Sequence, residues 1–249
     1  MKKTGIAAVT AAAFGAAACV NYRRFVYTPQ ALGGRAYKVK TQVLTIPAGS
    51  HTIYGELLLP QGIHGKLPTV IVSHGLGSSG ANAKKLVGMS LAMSGFAVYC
   101  FDFFGGNRRS KSGGEMWEMS VFTEKDDLNA VIAHIKTLDT TDADKLFLLG
   151  ESQGGFVTAV TAAEHPEIKA VILYYPALCI ADDARKRHGS KERIPERENF
   201  GGSLLGRAYS ESVWDYDVYR VIPAYTGPVL ILHGDNDKAE NISYCNRAA

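Results

Sequence analysis

Ser152 stands in Gly150-Glu151-Ser152-Gln153-Gly154-Gly155, between the run Lys145-Leu146-Phe147-Leu148-Leu149 and the run Phe156-Val157-Thr158-Ala159-Val160-Thr161-Ala162-Ala163. The first flank reads as a buried strand and the second as a helix rich in small residues. A serine on a sharp turn from strand to helix presents its hydroxyl at the sheet's edge, where it can attack a carbonyl carbon. Such a turn strains the serine backbone, and Gly150 and Gly154 leave room for the segments that cross it. The plainer reading is a glycine-rich loop that happens to hold a serine. Both flanks argue against it.

Acyl transfer also needs donors for the oxyanion, an orienting acid and a base. Ser73-His74-Gly75-Leu76-Gly77 follows the β-branched run Thr69-Val70-Ile71-Val72, and its His-Gly pair marks a tight turn. The backbone N–H groups of Leu76 and Gln153 are the expected oxyanion donors. His74 then braces the loop and is not the base. His233-Gly234-Asp235-Asn236-Asp237 ends the apolar run from Pro228 to Leu232. Asp237 is the expected acid, because the turn after His-Gly aims the later carboxylate at the serine; Asp235 is read as a turn residue.

The base has no candidate. The order serine, acid, histidine asks for a histidine beyond Asp237, and Lys238 to Ala249 contains none. His51 belongs to an early turn, His64 to a polar loop, His134 to a helix face beside the apolar stripe, and His165 to a helix end. His188, in a charged segment, could be lowered over Ser152 but has a plainer place on a solvated face. Asn241 to Ala249 reads as the opening of a helix with no terminating signal. The expectation is therefore a chain that stops before its catalytic histidine. Such a chain is expected to be weakly active or inactive and poorly soluble, with Val229 to Leu232 at an exposed sheet edge.

The elements that must position these residues follow in order. Gln42 to Ile46 and Ile53 to Leu59 read as paired strands around the turn Ala48-Gly49-Ser50. After the strand ending at Ser73, a helix places Ala83, Leu86, Val87 and Leu91 on one side. Phe96 to Phe101 is a strand, and Phe103 to Met119 a long Gly- and Ser-rich loop. A helix opens at Thr123 with Asp126 reaching back over its first N–H groups, and carries Leu128, Val131, Ile132 and Ile135 as its apolar stripe. Ala170 to Tyr174 and Pro228 to Leu232 are further strands. Alternating strands and helices predict an α/β fold with a doubly wound, mostly parallel sheet. Between the last two strands, about residues 177–226 carry no strand signal and read as a helical cap insertion. Its charge run, Arg185 to Glu198, reads as a solvated face, and Tyr209, Trp214, Tyr216 and Tyr219 as packing residues that can also meet a ligand.

The 249 residues suit one α/β domain, and 46% apolar and 20% charged residues are ordinary for a globular protein. A formal charge of +3 with no basic stripe sets nucleic acid aside as a partner. Cys19, Cys100, Cys179 and Cys245 show no metal-ligand spacing, and Cys100 and Cys179 read as buried thiols. Met1-Lys2-Lys3 followed by the apolar run from Gly5 to Val20 reads as a signal peptide or an uncleaved anchor, with Ala16-Ala17-Ala18 as a small-residue cleavage site. Residues 1–34 are thus a membrane-directing segment and connector, the protein being exported or membrane-anchored, and 35–249 the catalytic domain.

His74-Gly75, Asp102-Phe103-Phe104-Gly105-Gly106, Gly150 to Gly155 and His233-Gly234-x-x-Asp237 stand in the order of the α/β-hydrolase superfamily, and roughly Val43 to the C-terminus resembles its cinnamoyl/feruloyl-esterase-like serine hydrolases. The resemblance implies a Ser–Asp–His triad and hydrolysis of a small-molecule carboxylic ester with no metal or cofactor. A serine at the elbow speaks against the dehalogenase and dienelactone-hydrolase branches. Acyl-peptidases and thioesterases share the architecture. A non-catalytic binding protein on the same fold is the alternative from another class, supported by the missing histidine.

Overall fold

The computed structural model describes residues 36–248. The signal or anchor segment and Cys19 lie outside the described residues. Continuous apolar runs become central strands because both faces of the sheet are covered. β1 (Val39–Ala48) and β2 (His51–Pro60) form an antiparallel hairpin, and β2 pairs antiparallel with β4 (Ala97–Phe101). β3 (Leu67–Ser73), β5 (Thr141–Glu151), β6 (Ala170–Tyr174) and β9 (Val229–Leu232) continue the sheet in parallel, in the order β1-β2-β4-β3-β5-β6-β9.

One face is covered by the helical segment α1 (Gly80–Ala83), a π-turn (Lys84–Gly88) and α2 (Met89–Met93). Val70, Val72, Ala83, Val87, Val98 and Leu149 are buried there. The other face carries the larger core, with α3 (Val121–Ile135) and α4 (Gln153–Ala162) packed on Phe101, Leu148, Phe156 and Leu173. α3 starts earlier than the sequence suggests. Ser120 is its N-cap, exchanging hydrogen bonds with Thr123, so Thr123 closes a capping box and does not open the helix.

The insertion holds α5 (Ile180–His188), α6 (Arg207–Val213) and α7 (Val218–Val221), but it is not purely helical. β7 (Arg197–Phe200) and β8 (Ser203–Gly206) form a separate hairpin, contrary to the expectation of no strand. Gly201 and Gly202, both at positive φ, make its two-residue turn. Arg185 and Lys186 are exposed, as expected of a solvated face, whereas Arg187, His188 and Glu198 turn inward and pair with one another in the cap, contrary to that expectation.

β9 pairs with β6 alone, and Val229 and Leu230 are 50% and 46% exposed. This is the edge strand anticipated from the sequence. α8 (Ile242–Ala248) follows it. Cys100, Cys179 and Cys245 are free and buried. Among the described residues no helix is long and apolar enough to cross a membrane.

Candidate active site

Ser152 sits between β5 and α4 at φ 48°, one of two non-glycine residues with positive φ among those described; the other is Tyr175. Holding a non-glycine residue there costs about 1–3 kcal/mol and needs surrounding contacts that over-determine it. Those contacts are present. Ser152 N–H donates to Tyr174 O at 2.9 Å, and Ser152 O accepts from Gly155, Phe156 and Ala177 N–H. A Cβ at Gly150 would lie 2.3 Å from Gly154 O, and one at Gly154 would lie 2.4 Å from both Ser73 O and His74 O. Both glycines are required because backbone crosses there.

The His74-Gly75 turn reaches the serine. A Cβ on Gly75 would stand 3.2 Å from Ser152 Cβ and 3.7 Å from its Oγ, so the turn that leads into Leu76 runs against the serine. Gly77 and Ser78 N–H groups are bonded to Gly106 O and Gly75 O, while Leu76 N–H has no acceptor among the described residues. Gln153 is the first residue of α4, where a backbone N–H has no partner within the helix. Gln153 thus follows Ser152 at the helix start, and Leu76 follows the glycine that abuts it.

His74 is fully buried, its Nδ1 bonded to Gly75 O at 2.8 Å and its Nε2 accepting from Phe103 N–H at 3.2 Å. Burial holds the ring below the usual imidazole range, despite the Gly75 carbonyl and Asp102, which act the other way. A neutral histidine with both nitrogens engaged braces the loop and cannot serve as base. His51 has a stronger role than a turn residue. Its Nε2 meets Asp127 Oδ1 at 2.7 Å, and Asp127 Oδ2 accepts from Phe104 N–H at 2.8 Å. This pair steadies the loop whose Gly106 carbonyl holds Gly77.

The acid side differs from the simple expectation. Asp237 Oδ1 accepts from Ala239 and Glu240 N–H at 2.9 and 3.1 Å, and its Oδ2 lies 3.9 Å from His233 Nε2. Asp235 is an exposed turn residue, as read from the sequence. The carboxylate on Ser152 belongs to Glu240: Ser152 Oγ donates to Glu240 Oε1 at 2.5 Å. Burial raises Glu240 above the usual carboxylate range, against the opposing pull of the Ser152 hydrogen bond. His233 Nε2 donates to Glu240 O at 2.6 Å, and the Cys245 thiol, pushed up to about 11 by burial, faces His233 Nδ1 at 3.2 Å. His188 is held in the cap by Glu198, at 3.2 Å. His165 is bonded to Asn129 and Glu167.

Two residues beside the nucleophile were not singled out from the sequence. Glu240 lies in a polar stretch, Asp237-Lys238-Ala239-Glu240, with no pattern to mark it. Glu124 is fully buried and accepts from Gln153 Nε2 at 2.8 Å. It was legible: four residues before Leu128, it puts a carboxylate on the apolar stripe of α3. A cavity of about 840 Å³ opens on the side of the Leu76-Gly77 turn, lined by Leu76, Gly77, Asn107, Arg108, Met116 and Ser203; Ser152, Gln153 and Glu240 do not line it. Among the described residues no cluster of three His, Cys, Asp or Glu side chains could hold a metal.

A mostly parallel sheet with a strained serine at the strand–helix turn and a cap before the last strand defines an α/β-hydrolase. Residues 66–197 match the family model described as serine aminopeptidase, S33. The chain belongs to that hydrolase family. It is also similar to the structure of Est1E from Butyrivibrio proteoclasticus with bound ferulic acid, at 26% identity and a TM-score of 0.71, over 82% of this chain and 85% of that one. Hydrolase LUC6 of Fusarium sp is 28% identical over 56% of this chain and 34% of its own length. The quorum-quenching protein AidA of Acinetobacter baumannii is 27% identical over 44% and 35%. The matched part thus spans about a third of each of these two curated relatives.

Proposed function

We propose that the protein is a serine hydrolase that cleaves carboxylic esters through an acyl-enzyme on Ser152. The observation that carries this reading is Ser152 at positive φ on the strand–helix turn, with Gly75 packed against its Cβ. Oγ attacks the ester carbonyl and the oxyanion is met by the two N–H groups. Collapse breaks the bond to the alcohol, which leaves with a proton, and water then hydrolyses the acyl–serine ester to release the acid. Among the described residues the group that touches Oγ and can take its proton is Glu240. A carboxylate is a weaker base than imidazole, so activity in this chain is slow. Asp237 has the role of orienting acid for an imidazole base, and no histidine of the described residues meets Ser152. The similarity to a ferulic-acid-bound esterase supports a small-molecule ester. Residues 1–34 direct the protein to a membrane or to export.

The family description also admits amide substrates, and thioesters react by the same steps. A different reading, a hydrolase-fold binding protein, is favoured by one observation: Ser152 Oγ is held by a carboxylate. Labelling the full chain with a fluorophosphonate probe separates these readings. Covalent mass on Ser152, absent in Ser152→Ala, is expected, together with slow turnover of short-chain aryl esters ahead of aminoacyl amides and thioesters. No adduct on Ser152 would leave the binding protein as the better account.

A further inference from the structure

Gln153 has two separate jobs in its surroundings. Its backbone N–H is one of the donors beside Ser152, while its side chain turns inward and is 1% exposed. Nε2 donates to Glu124 Oε2 at 2.8 Å, with Met119 Sδ at 3.7 Å, and Oε1 accepts from the Tyr209 hydroxyl at 2.7 Å. Glu124 is on α3 beneath the sheet's larger core, and Tyr209 is on α6 of the cap. The amide turns its nitrogen to the carboxyl group, which accepts, and its oxygen to the phenol, which donates.

We propose that Gln153 is a positioning residue, clamped between Glu124 and Tyr209 so that the oxyanion donor is fixed to both the core and the cap. The proposal rests on the reading of Ser152 as nucleophile. Its physical basis is that side chain and N–H share one Cα, so two hydrogen bonds on the amide restrain the direction of the donor. A small misplacement of a group that meets the transition state has a large effect on rate. Buried hydrogen bonds in series also polarise one another in a low-dielectric setting. Burial raises Glu124 to about 8, so the clamp is a neutral acid–amide–phenol chain at neutral pH. The cap end is itself anchored: a Cβ on Gly206, just before α6, would meet Trp117 O at 1.9 Å. Tyr209 is thus held in place at the point where it meets Gln153.

The test uses the full chain and the same fluorophosphonate probe, whose phosphoryl oxygen occupies the oxyanion position. Tyr209→Phe removes one hydroxyl and is expected to lower the maximal rate of Ser152 phosphonylation about tenfold, the scale of one hydrogen bond. The half-saturating probe concentration should stay within about twofold, since the loss is confined to the transition state. Glu124→Ala should lose rate likewise, while Glu124→Gln, whose amide oxygen still accepts from Gln153, should recover it to within about threefold. Thermal unfolding shows which variants are folded, and the Glu124 pair carries the test if Tyr209→Phe is not. Equal maximal rates in all folded variants, or a change in half-saturation alone, would overturn the clamp while leaving Ser152 as nucleophile. A wild-type chain with no adduct on Ser152 would overturn the nucleophile assignment and the clamp with it.

Discussion

Two carboxyl groups reach the elbow, and their surroundings are opposite. Glu124 is fully buried on a capped, four-turn helix, and its partner is the side chain of Gln153. Glu240 is half-buried in a loop after the edge strand β9, and its partner is the nucleophile itself. The side that would hold an oxyanion in the proposed reaction is built from the interior, where displacement disturbs the core packing. The proton-accepting side is borne by a loop held through Asp237 and His233. The first is organised before any ligand arrives. The second can be altered without unfolding the protein.

Glycine substitutions should break this comparison most strongly. Gly154→Ala puts a Cβ 2.4 Å from two carbonyl oxygens at the end of β3. Neither the strand nor the helix can yield, so a loss of about 3 kcal/mol or more is expected. At Gly234, on the acid side, an added Cβ meets nothing within 4 Å. Gly234→Ala should change stability by no more than about 1 kcal/mol, acting through the unfolded chain. Urea unfolding of both variants checks this. Equal losses would mean that the two sides are equally constrained.

The same division decides what could be read from the sequence. β3 and β6 were legible because uninterrupted apolar runs have one stable home, a strand covered on both faces. Gly150, Ser152 and Gly154 were legible because close backbone crossing and positive φ admit few residue types. The β7–β8 hairpin was not, since Arg197-Glu198-Asn199-Phe200 has no apolar alternation. Gly206 and buried Leu205 tie it down through tertiary contacts. Asp237 was picked by its place after His-Gly, and it does organise the loop. Glu240 owes its contact with Ser152 to the path of that loop, which no local pattern encodes.

A second way to sharpen the comparison is Glu240→Gln, which removes a base and little structure. If the carboxylate takes the Ser152 proton, the phosphonylation rate at neutral pH should fall about 10²-fold, the lower end for general-base catalysis. In the wild-type chain the rate should rise with pH as Glu240 loses its proton, with a midpoint above the usual carboxylate range because burial raises it. Asp237, His233 and Asp183 are the charged or titratable neighbours that act on it. The Gln variant should lose that limb. A faster reaction in Glu240→Gln would show that the carboxylate restrains Ser152 and is not its base.

The smallest expected effect is a dependence of stability on pH that belongs to the interior side. Glu151, next to the nucleophile, is buried with Oε1 unpartnered, and desolvation alone lifts it to about 8; Glu124 is lifted to about 8 by the same cause. In the unfolded chain both groups ionise near 4.5. Between these values the folded state holds protons that the unfolded state has released. The contribution of these two groups to stability is therefore greatest below about 4.5, falls as pH rises towards 8, and levels off above it, by at most about 1.4 kcal/mol per pH unit for each group. Glu151→Gln keeps the shape without the titration, so its unfolding free energy should decline less steeply than that of the wild type over this window. Chemical unfolding at pH 5, 6, 7 and 8 measures the difference. Parallel slopes would mean that water reaches Glu151 and that the floor of the elbow is less closed than its burial implies.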